Sequence, residues 1–408
     1  MADARTRVII TKDARMPSQS LTTSPITASL VRGAAELEQT ERGILPHRLP
    51  TWARKQCADP QLASVEAQPS GVRIVFRTRA TVIELDVLRS RFAYVGVPPR
   101  PDGRVDLVVD GDVVAQAATS GGTTITVDMA TGAAEQEAGP ASTIRFADLP
   151  DALKSVEMWL PHNEKIEILE LRTNAPVEPA PASELPVWLH HGSSISHGSD
   201  AASPTGIWPA VAARLGGTEL VNLGLGGSAL LDPFTARTIR DTPADLISLK
   251  LGINVVNADT MRLRAFGPAV HGFLDTIREG NPTTPILVVS PIYCGIHEET
   301  PGPVSFDADA LAAGERRFRA TGDPAESAFG KLTLTVIRGE LERIVRERQA
   351  ADPNLYFLDG LRLYGENDSV ELPLPDALHP DAATHQLMGE RFARLAFSEG
   401  GPLSISGR

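Results

Sequence analysis

The residues best suited to chemistry lie in Leu189-His190-His191-Gly192-Ser193-Ser194-Ile195-Ser196. An apolar run, Pro186-Val187-Trp188-Leu189, leads into a turn of small residues, and this is how a strand delivers a serine to the end of a sheet. Ser194 is the candidate nucleophile. Its G-x-S-x-S setting makes the same demand as a G-x-S-x-G elbow: small neighbours let the backbone turn sharply and leave the hydroxyl exposed. Gly/Ser clusters also mark plain turns, so three further segments carry weight. Asn222-Leu223-Gly224-Leu225-Gly226-Gly227-Ser228 holds glycines whose backbone N–H groups can point at a ligand. Leu251-Gly252-Ile253-Asn254 ends an apolar run on an asparagine, and Asp376-Ala377-Leu378-His379-Pro380 sets a carboxylate three residues before an imidazole. Each has an ordinary reading as a turn or loop. Their order and company point to a site.

Elements capable of positioning these segments follow from the apolar patterning. After residue 187, short apolar runs at 187–191, 219–223, 245–251, 286–293 and 354–359 read as buried strands of a parallel sheet. Helical stretches at 208–215, 263–279 and 329–351 alternate with them, and 380–397 reads as a closing helix with Pro380 in its first turn. The alternation predicts an α/β/α sandwich, and catalytic groups in such sheets sit just beyond the carboxyl ends of the strands, where all four segments fall. Residues 22–172 read instead as all-β, with short Val, Ile, Phe and Thr runs separated by turns and a hairpin signal at Asp110-Gly111-Asp112. Within them, 34–70 fits no strand pattern and is expected to wrap over the sandwich or toward the second domain. Residues 173–186, with four prolines, read as an extended linker. The expected division is a tail at 1–21, a β-sandwich at 22–172, the linker, a catalytic domain at 187–399 and a tail at 400–408. About 35 residues, 294–328, separate one strand from the next helix, far more than an ordinary connection. They are expected to form a lid or acceptor wall, with a short helix within 307–320 and with Leu311 and Phe318 over the pocket.

The four segments together resemble the SGNH (GDSL-type) hydrolases, named for a serine, glycine, asparagine and histidine in separate blocks. The resemblance covers 187–397, and its last block, D-x-x-H-P, is the most specific. It implies a three-layer α/β/α sandwich with a parallel sheet. It also implies Ser194 as nucleophile, His379 as base and Asp376 as the partner of His379. The implied oxyanion donors are the Ser194 and Gly227 backbone N–H groups and the Asn254 side-chain amide. The region before it looks like the β-sandwich, jelly-roll-like, that precedes this domain in carbohydrate esterases and some acyltransferases. That likeness rests on Pro101-Asp102-Gly103-Arg104-Val105-Asp106-Leu107-Val108-Val109-Asp110-Gly111 and Val156-Glu157-Met158-Trp159-Leu160-Pro161-His162-Asn163. Two positions depart from the family pattern: Ser193 and Val255 stand where aspartates are usual.

A serine hydroxyl is a poor nucleophile until a base accepts its proton, and a neutral imidazole titrates in the right range. A carboxylate on the other ring nitrogen fixes the tautomer and stabilises the imidazolium. Preorganised donors at the developing oxyanion contribute about 10²- to 10³-fold each. The product is an acyl-Ser194 intermediate, attacked next by water or an alcohol. The leading expectation is an O-acyl esterase, a serine-dependent carboxyl-ester hydrolase for small acyl groups on a sugar or glycosylated compound. The alternatives are an acyltransferase to an alcohol of a natural product or sugar, and a non-catalytic carbohydrate-binding protein, against which the full set of triad residues argues.

Composition narrows the remaining classes. A chain of 408 residues with a net charge of −12 lacks the basic surface that nucleic acid or an anionic membrane requires. Cys57 and Cys294 are too few for a disulfide framework or a structural zinc site and read as free thiols. A polar stretch at 1–20 without an apolar h-region, and no run of transmembrane length, lead to a cytoplasmic expectation. No metal is expected, although His190, His191 and His197 cluster near the turn, because a site needs three or four converging ligands. Of His190 and His191, one is expected to pack and the other to line the approach to the pocket. No cofactor is expected either, since 224–227 lacks the Lys-Ser/Thr of a phosphate-binding loop. Arg316, Arg317 and Arg319 read as a hold for a phosphorylated acyl donor or, more ordinarily, as a solvated helix face. The acyl group, the acceptor and the oligomeric state stay open.

Overall fold

The apolar runs after residue 187 form a five-stranded parallel sheet. The computed structural model describes residues 20–128 and 131–404. Strands Val187–Gly192, Glu219–Gly224, Leu246–Lys250, Ile286–Val289 and Leu355–Leu358 lie in the order second, first, third, fourth, fifth. Gly192 pairs with Gly224 and His191 with Leu249, so the carboxyl ends of the first three strands come level. Helices cover both faces, which is why these strands are continuous apolar runs. On one face, helices Leu263–Gly280 and Leu334–Arg348 bring Phe266, Phe273, Ile337 and Leu341 onto Leu189, Ile247 and Leu249. On the other, helices Trp208–Gly216 and Ala382–Phe392 pack Trp208, Met388 and Phe392 around Trp188. The strand order reverses at Val187–Gly192, which opens a crevice beyond its carboxyl end.

Ahead of this lie an eight-stranded and a six-stranded sheet, mostly antiparallel. One core joins them: Leu85, Val87, Ile166 and Ile168 from the first sheet meet Ile74, Phe76, Leu107 and Met158 from the second. Strand Lys154–Trp159 shows the cause, burying every second residue. Asp110 and Gly111 both take positive φ, 49° and 93°, as a two-residue hairpin turn requires.

Several elements differ from the sequence reading. The run 26–31 is mostly turn, held by Leu30 N–H on the Thr27 carbonyl, between strands Thr22–Ser24 and Val31–Arg32. Segment 34–70 contributes strands Glu36–Gln39 and Ile44–His47 to the larger sheet, then helices Thr51–Arg54 and Pro60–Glu66. These helices and the turn before them place Leu49, Ala53, Leu62 and Val65 in the core beside Leu189 and Leu223 of the parallel sheet. Strand Val177–Pro179, inside the proline-rich 173–186, pairs with Arg73–Thr78. The closing helix is capped by Asp381, which accepts from Thr384 N–H, so Pro380 precedes the cap instead of occupying the first turn. Among the described residues, no helix is long and apolar enough to cross a membrane.

Lys250 ends the third strand only 2 % exposed, and its Nζ has no hydrogen-bond partner among the described residues. Burial, then Arg338, push its amine down to about 7, with Cys294 opposing. Between pH 7 and the ordinary lysine value of 10.5, the unfolded chain binds a proton that the native chain does not, so this group makes stability rise with pH. Lys250→Met is expected to stabilise the fold by a few kcal/mol below pH 7, with the gain shrinking toward pH 10. Denaturant melts at pH 6 and 9.5 check it; an equal gain at both would contradict the burial account.

Candidate active site

Ser193 caps a short helical turn, Ser194–His197, by accepting the Ile195 N–H, and Gly198 ends the turn at φ 108°. Ser194 is half-buried, while Ser193, Ile195, Ser196 and His197 are buried. The side chain thus emerges where the first strand stops. Asn222 fastens the next block to this turn: its Oδ1 accepts the Gly224 N–H at 2.9 Å, and its Nδ2 donates to the Ser196 carbonyl at 3.0 Å. The glycine loop lies directly against Ser194, since a Cβ on Gly226 would sit 3.5 Å from the Ser194 Cβ. Gly227 takes φ 74°, a conformation that favours glycine, and a Cβ there would meet Gln61 Nε2 at 3.2 Å.

Residues from the N-terminal region brace this loop. Gln61, in helix Pro60–Glu66, donates to the Gly226 carbonyl at 2.9 Å. Arg48, 1 % exposed, donates to the Asn222 and Gly224 carbonyls at 3.1 and 2.6 Å and to the Val65 carbonyl. The third block turns at Gly252, with φ 117°, where a Cβ would meet Ile337 at 2.6 Å. Asn254 follows. Its Oδ1 accepts the Ala229 N–H at 3.1 Å, so the network leaves the amide nitrogen as the end free to donate elsewhere.

The last block is a tight loop through Ala377 at φ 65°. Asp376 Oδ1 accepts the Leu378 and His379 N–H groups at 3.0 and 2.7 Å, and Oδ2 accepts His379 Nδ1–H at 2.8 Å. That bond puts the ring proton on Nδ1, leaving Nε2 to face the Ser194 hydroxyl at 3.0 Å. Burial disfavours the Asp376 anion, but the His379 hydrogen bond and charge and the two loop amides outweigh it and hold the carboxyl below the usual range. Ser194, His379 and Asp376 therefore form one hydrogen-bonded series. The two departures from the family pattern lie outside it: Ser193 caps the turn, and Val255 is buried in the core.

The other histidines have structural partners, and the expectation that one of His190 and His191 lines the approach is corrected. Both strand faces are covered, so His190 and His191 are 0 % and 1 % exposed. His190 binds the Ser248 and Ser196 hydroxyls, His191 donates to the Leu223 carbonyl and stacks on Phe273, and His197 reaches the His162 carbonyl. Burial pushes His191 down to about 4 and His190 and His197 well below the ordinary value.

The long segment 294–328 reaches the triad. Strands Val304–Phe306 and Phe318–Ala320 pair around helix Ala308–Ala312. Phe318 N–H donates to the Asp376 carbonyl at 2.8 Å, its ring meets His379 edge-on at 5.6 Å, and Phe306 stacks behind it at 4.7 Å. The arginine run is extended here, not a helix face: Arg316 and Phe318 turn inward, while Arg317 and Arg319 are exposed. Arg316 Nη2 donates to Asp200 Oδ2 at 2.6 Å, and its Nε lies 3.6 Å from Asp376 Oδ2. Arg48 and Gln61 escaped the sequence reading because they reach the site over more than a hundred residues, and Asp200 because only the distant Arg316 gives its carboxylate a partner there. The one local hint was the length of 294–328.

The chain is similar to known proteins over both of its parts. Residues 191–387 match the GDSL-like Lipase/Acylhydrolase family, and residues 30–169 match the SsfX3 N-terminal domain. No curated protein matches. Among solved structures, the salicylyl-acyltransferase SsfX3 from a tetracycline biosynthetic pathway is 28 % identical with a TM-score of 0.75, over 92 % of this chain and 96 % of that one. A protein described as a GDSL-like lipase from Bacteroides ovatus is 19 % identical at TM-score 0.64, over 91 % of this chain and 96 % of its own. A family two carbohydrate esterase from Clostridium thermocellum is 14 % identical at TM-score 0.52, over 80 % and 91 %. These last two share the fold. The chain thus carries a GDSL-like lipase/acylhydrolase domain at 191–387, the domain of an acyl-transferring enzyme, behind an SsfX3-type N-terminal domain at 30–169.

Proposed function

We propose that this protein forms an ester between an acyl group and Ser194 and passes that group to a hydroxyl of a second molecule. The observation that carries the acyl-serine step is the series Asp376 to His379 at 2.8 Å and His379 to Ser194 at 3.0 Å. His379 Nε2 takes the Ser194 proton as Oγ attacks the carbonyl carbon of the donor. Asp376 stabilises the imidazolium, and the Ser194 and Gly227 N–H groups with the Asn254 amide receive the charge on the oxyanion. Collapse expels the donor's alcohol or thiol, which leaves with the proton from His379. The acceptor hydroxyl then loses its proton to His379 and attacks the acyl carbon, and collapse breaks the acyl–Oγ bond as His379 returns that proton to Ser194.

Transfer is favoured over hydrolysis because the 28 % likeness to a salicylyl-acyltransferase runs through both halves of the chain. The rings of Phe318 and Phe306 beside His379 add to this, as apolar walls exclude water and suit a flat acyl group. Hydrolysis is the second reading: Ser194 stays partly exposed, and water needs no acceptor site. In that case the protein is an O-acyl esterase for small acyl groups on a sugar. A cytoplasmic location belongs to the proposal and fits the free thiols of Cys57 and Cys294.

The deciding experiment follows acyl-Ser194 by intact mass after loading from an activated aryl ester, first in buffer and then with polyhydroxylated acceptors. An acyl-enzyme that persists for hours in buffer and clears with an acceptor is the expected result. Prompt clearance in buffer, with steady release of the free acid, would establish the esterase instead.

A further inference from the structure

A second carboxylate and a guanidinium crowd the histidine that the acyl-Ser194 reading makes the base, and that reading does not call for them. Asp200 lies just past the nucleophile's turn. Its carboxylate, that of Asp376 and the His379 ring bring one atom each within 4.8 Å of one another. Two carboxylates this close hold a neighbouring imidazole in its charged form unless a positive charge offsets one of them. Arg316 supplies that charge. It is bound to Asp200 at 2.6 Å and set 3.6 Å from the Asp376 oxygen that accepts the His379 proton.

The arrangement is built, since both acids sit in defined loops. Asp200 takes φ 65°, and its side chain is 16 % exposed against 2 % for Asp376. Arg316 comes from neither loop. It is carried on the inserted arm, which Phe318 seats by its N–H on the Asp376 carbonyl and its ring on His379. Other titratable groups nearby add no charge: burial pushes His385 down to about 4 and the Cys294 thiol up to about 12, so both stay neutral. Ser194 completes the surroundings of His379 with a neutral hydroxyl. The charges facing the ring are thus Asp376, Asp200 and Arg316.

We propose that Arg316 is a positioning residue that the inserted arm lends to the triad: paired with Asp200 and set beside Asp376, it offsets the second carboxylate, so that the charge balance around His379 depends on the arm being seated. The inference rests on the acyl-Ser194 reading and deepens it. It makes the arm part of the proton-transfer machinery as well as a wall.

The test is the pH profile of kcat/KM for an activated ester in the intact protein. Arg316→Gln is expected to move the acid limb up by about one pH unit, with a several-fold loss at pH 6 and little change at pH 8.5. Arg316→Lys should keep most of the wild-type profile. Asp200→Asn should move the limb the other way, and the double variant should return it near its starting place, because the offset charges leave together. A rate lowered equally at every pH, with the limb unmoved, would mean a packing role only and overturn the inference. Should Arg316→Gln fail to fold, Asp200→Asn decides alone, and an unmoved limb there is equally adverse. Wild-type labelling at Ser194 by a fluorophosphonate separates the two failures: an unlabelled Ser194 sinks the acyl-serine reading, whereas a labelled enzyme with a fixed limb sinks only the role of Arg316.

Discussion

Ser194→Ala is expected to abolish fluorophosphonate labelling and to lower kcat/KM by about 10⁴-fold or more while leaving the fold intact. The loss is large because neither neighbouring serine can take the place of Ser194. Ser193 is turned to the Ile195 N–H as a cap, and Ser196 is buried on His190. Neither faces His379, whose Nε2 is 3.0 Å from Ser194. The cost in stability is small for the complementary reason. The side chain is half-buried and contributes one hydroxyl, so the variant should melt within about 1 kcal/mol of wild type. Circular dichroism and a denaturant melt establish the second half, and mass mapping of the labelled peptide the first. Labelling retained, or moved to Ser193 or Ser196, would reject the assignment of the nucleophile.

What the sequence made legible and what it hid follow from distance along the chain. The four blocks were readable because each is local: strand, small-residue turn and polar group are contiguous. The Asp376–His379 pair is a single tight loop, held by the Leu378 and His379 amides on one carboxylate oxygen. Parallel strands were readable because burial on both faces writes an unbroken apolar run, as in Leu246–Lys250. The same burial hid the state of His190 and His191, whose types suggest polar work while their faces are closed. Strand Asp112–Ala118 was implied only by the hairpin signal at Asp110-Gly111-Asp112, because as an outer strand with about half its residues exposed it shows no alternation of its own. Helix Pro60–Glu66 was missed for a different reason. Its Asp59 cap and Pro60 start are ordinary signals, but they open only seven residues inside a region otherwise rich in strands. Arg316 was misread because four arginine-rich residues cannot tell a helix face from a strand whose alternate side chains turn in and out. Only the packed arm reveals that Arg316 and Phe318 point at the triad while Arg317 and Arg319 do not.

His379→Ala is expected to cost at least as much as Asp376→Asn, about 10⁴-fold or more in kcat for the first and up to about 10⁴-fold for the second. The order follows from who moves the proton. His379 is the one imidazole in hydrogen-bond contact with Ser194 among the described residues, and the nearest other histidines are buried in bonds of their own. An alanine there leaves the hydroxyl without a base. Asp376→Asn removes no base, but it replaces an acceptor with an amide that can donate to Nδ1. The ring proton would then sit on Nε2, facing Ser194 with a donor where a lone pair is needed. The loop should survive this change, since the asparagine carbonyl can still accept the Leu378 and His379 N–H groups that Oδ1 now takes. Residues that act as one unit are not additive, so Ser194→Ala combined with His379→Ala should be little worse than either alone. Release of the leaving group from an activated ester, followed under single-turnover conditions, measures all four variants on the same bond cleavage. Near-normal acylation in His379→Ala, or a double variant whose loss is the product of the single losses, would mean that the 3.0 Å contact is not the path of the proton.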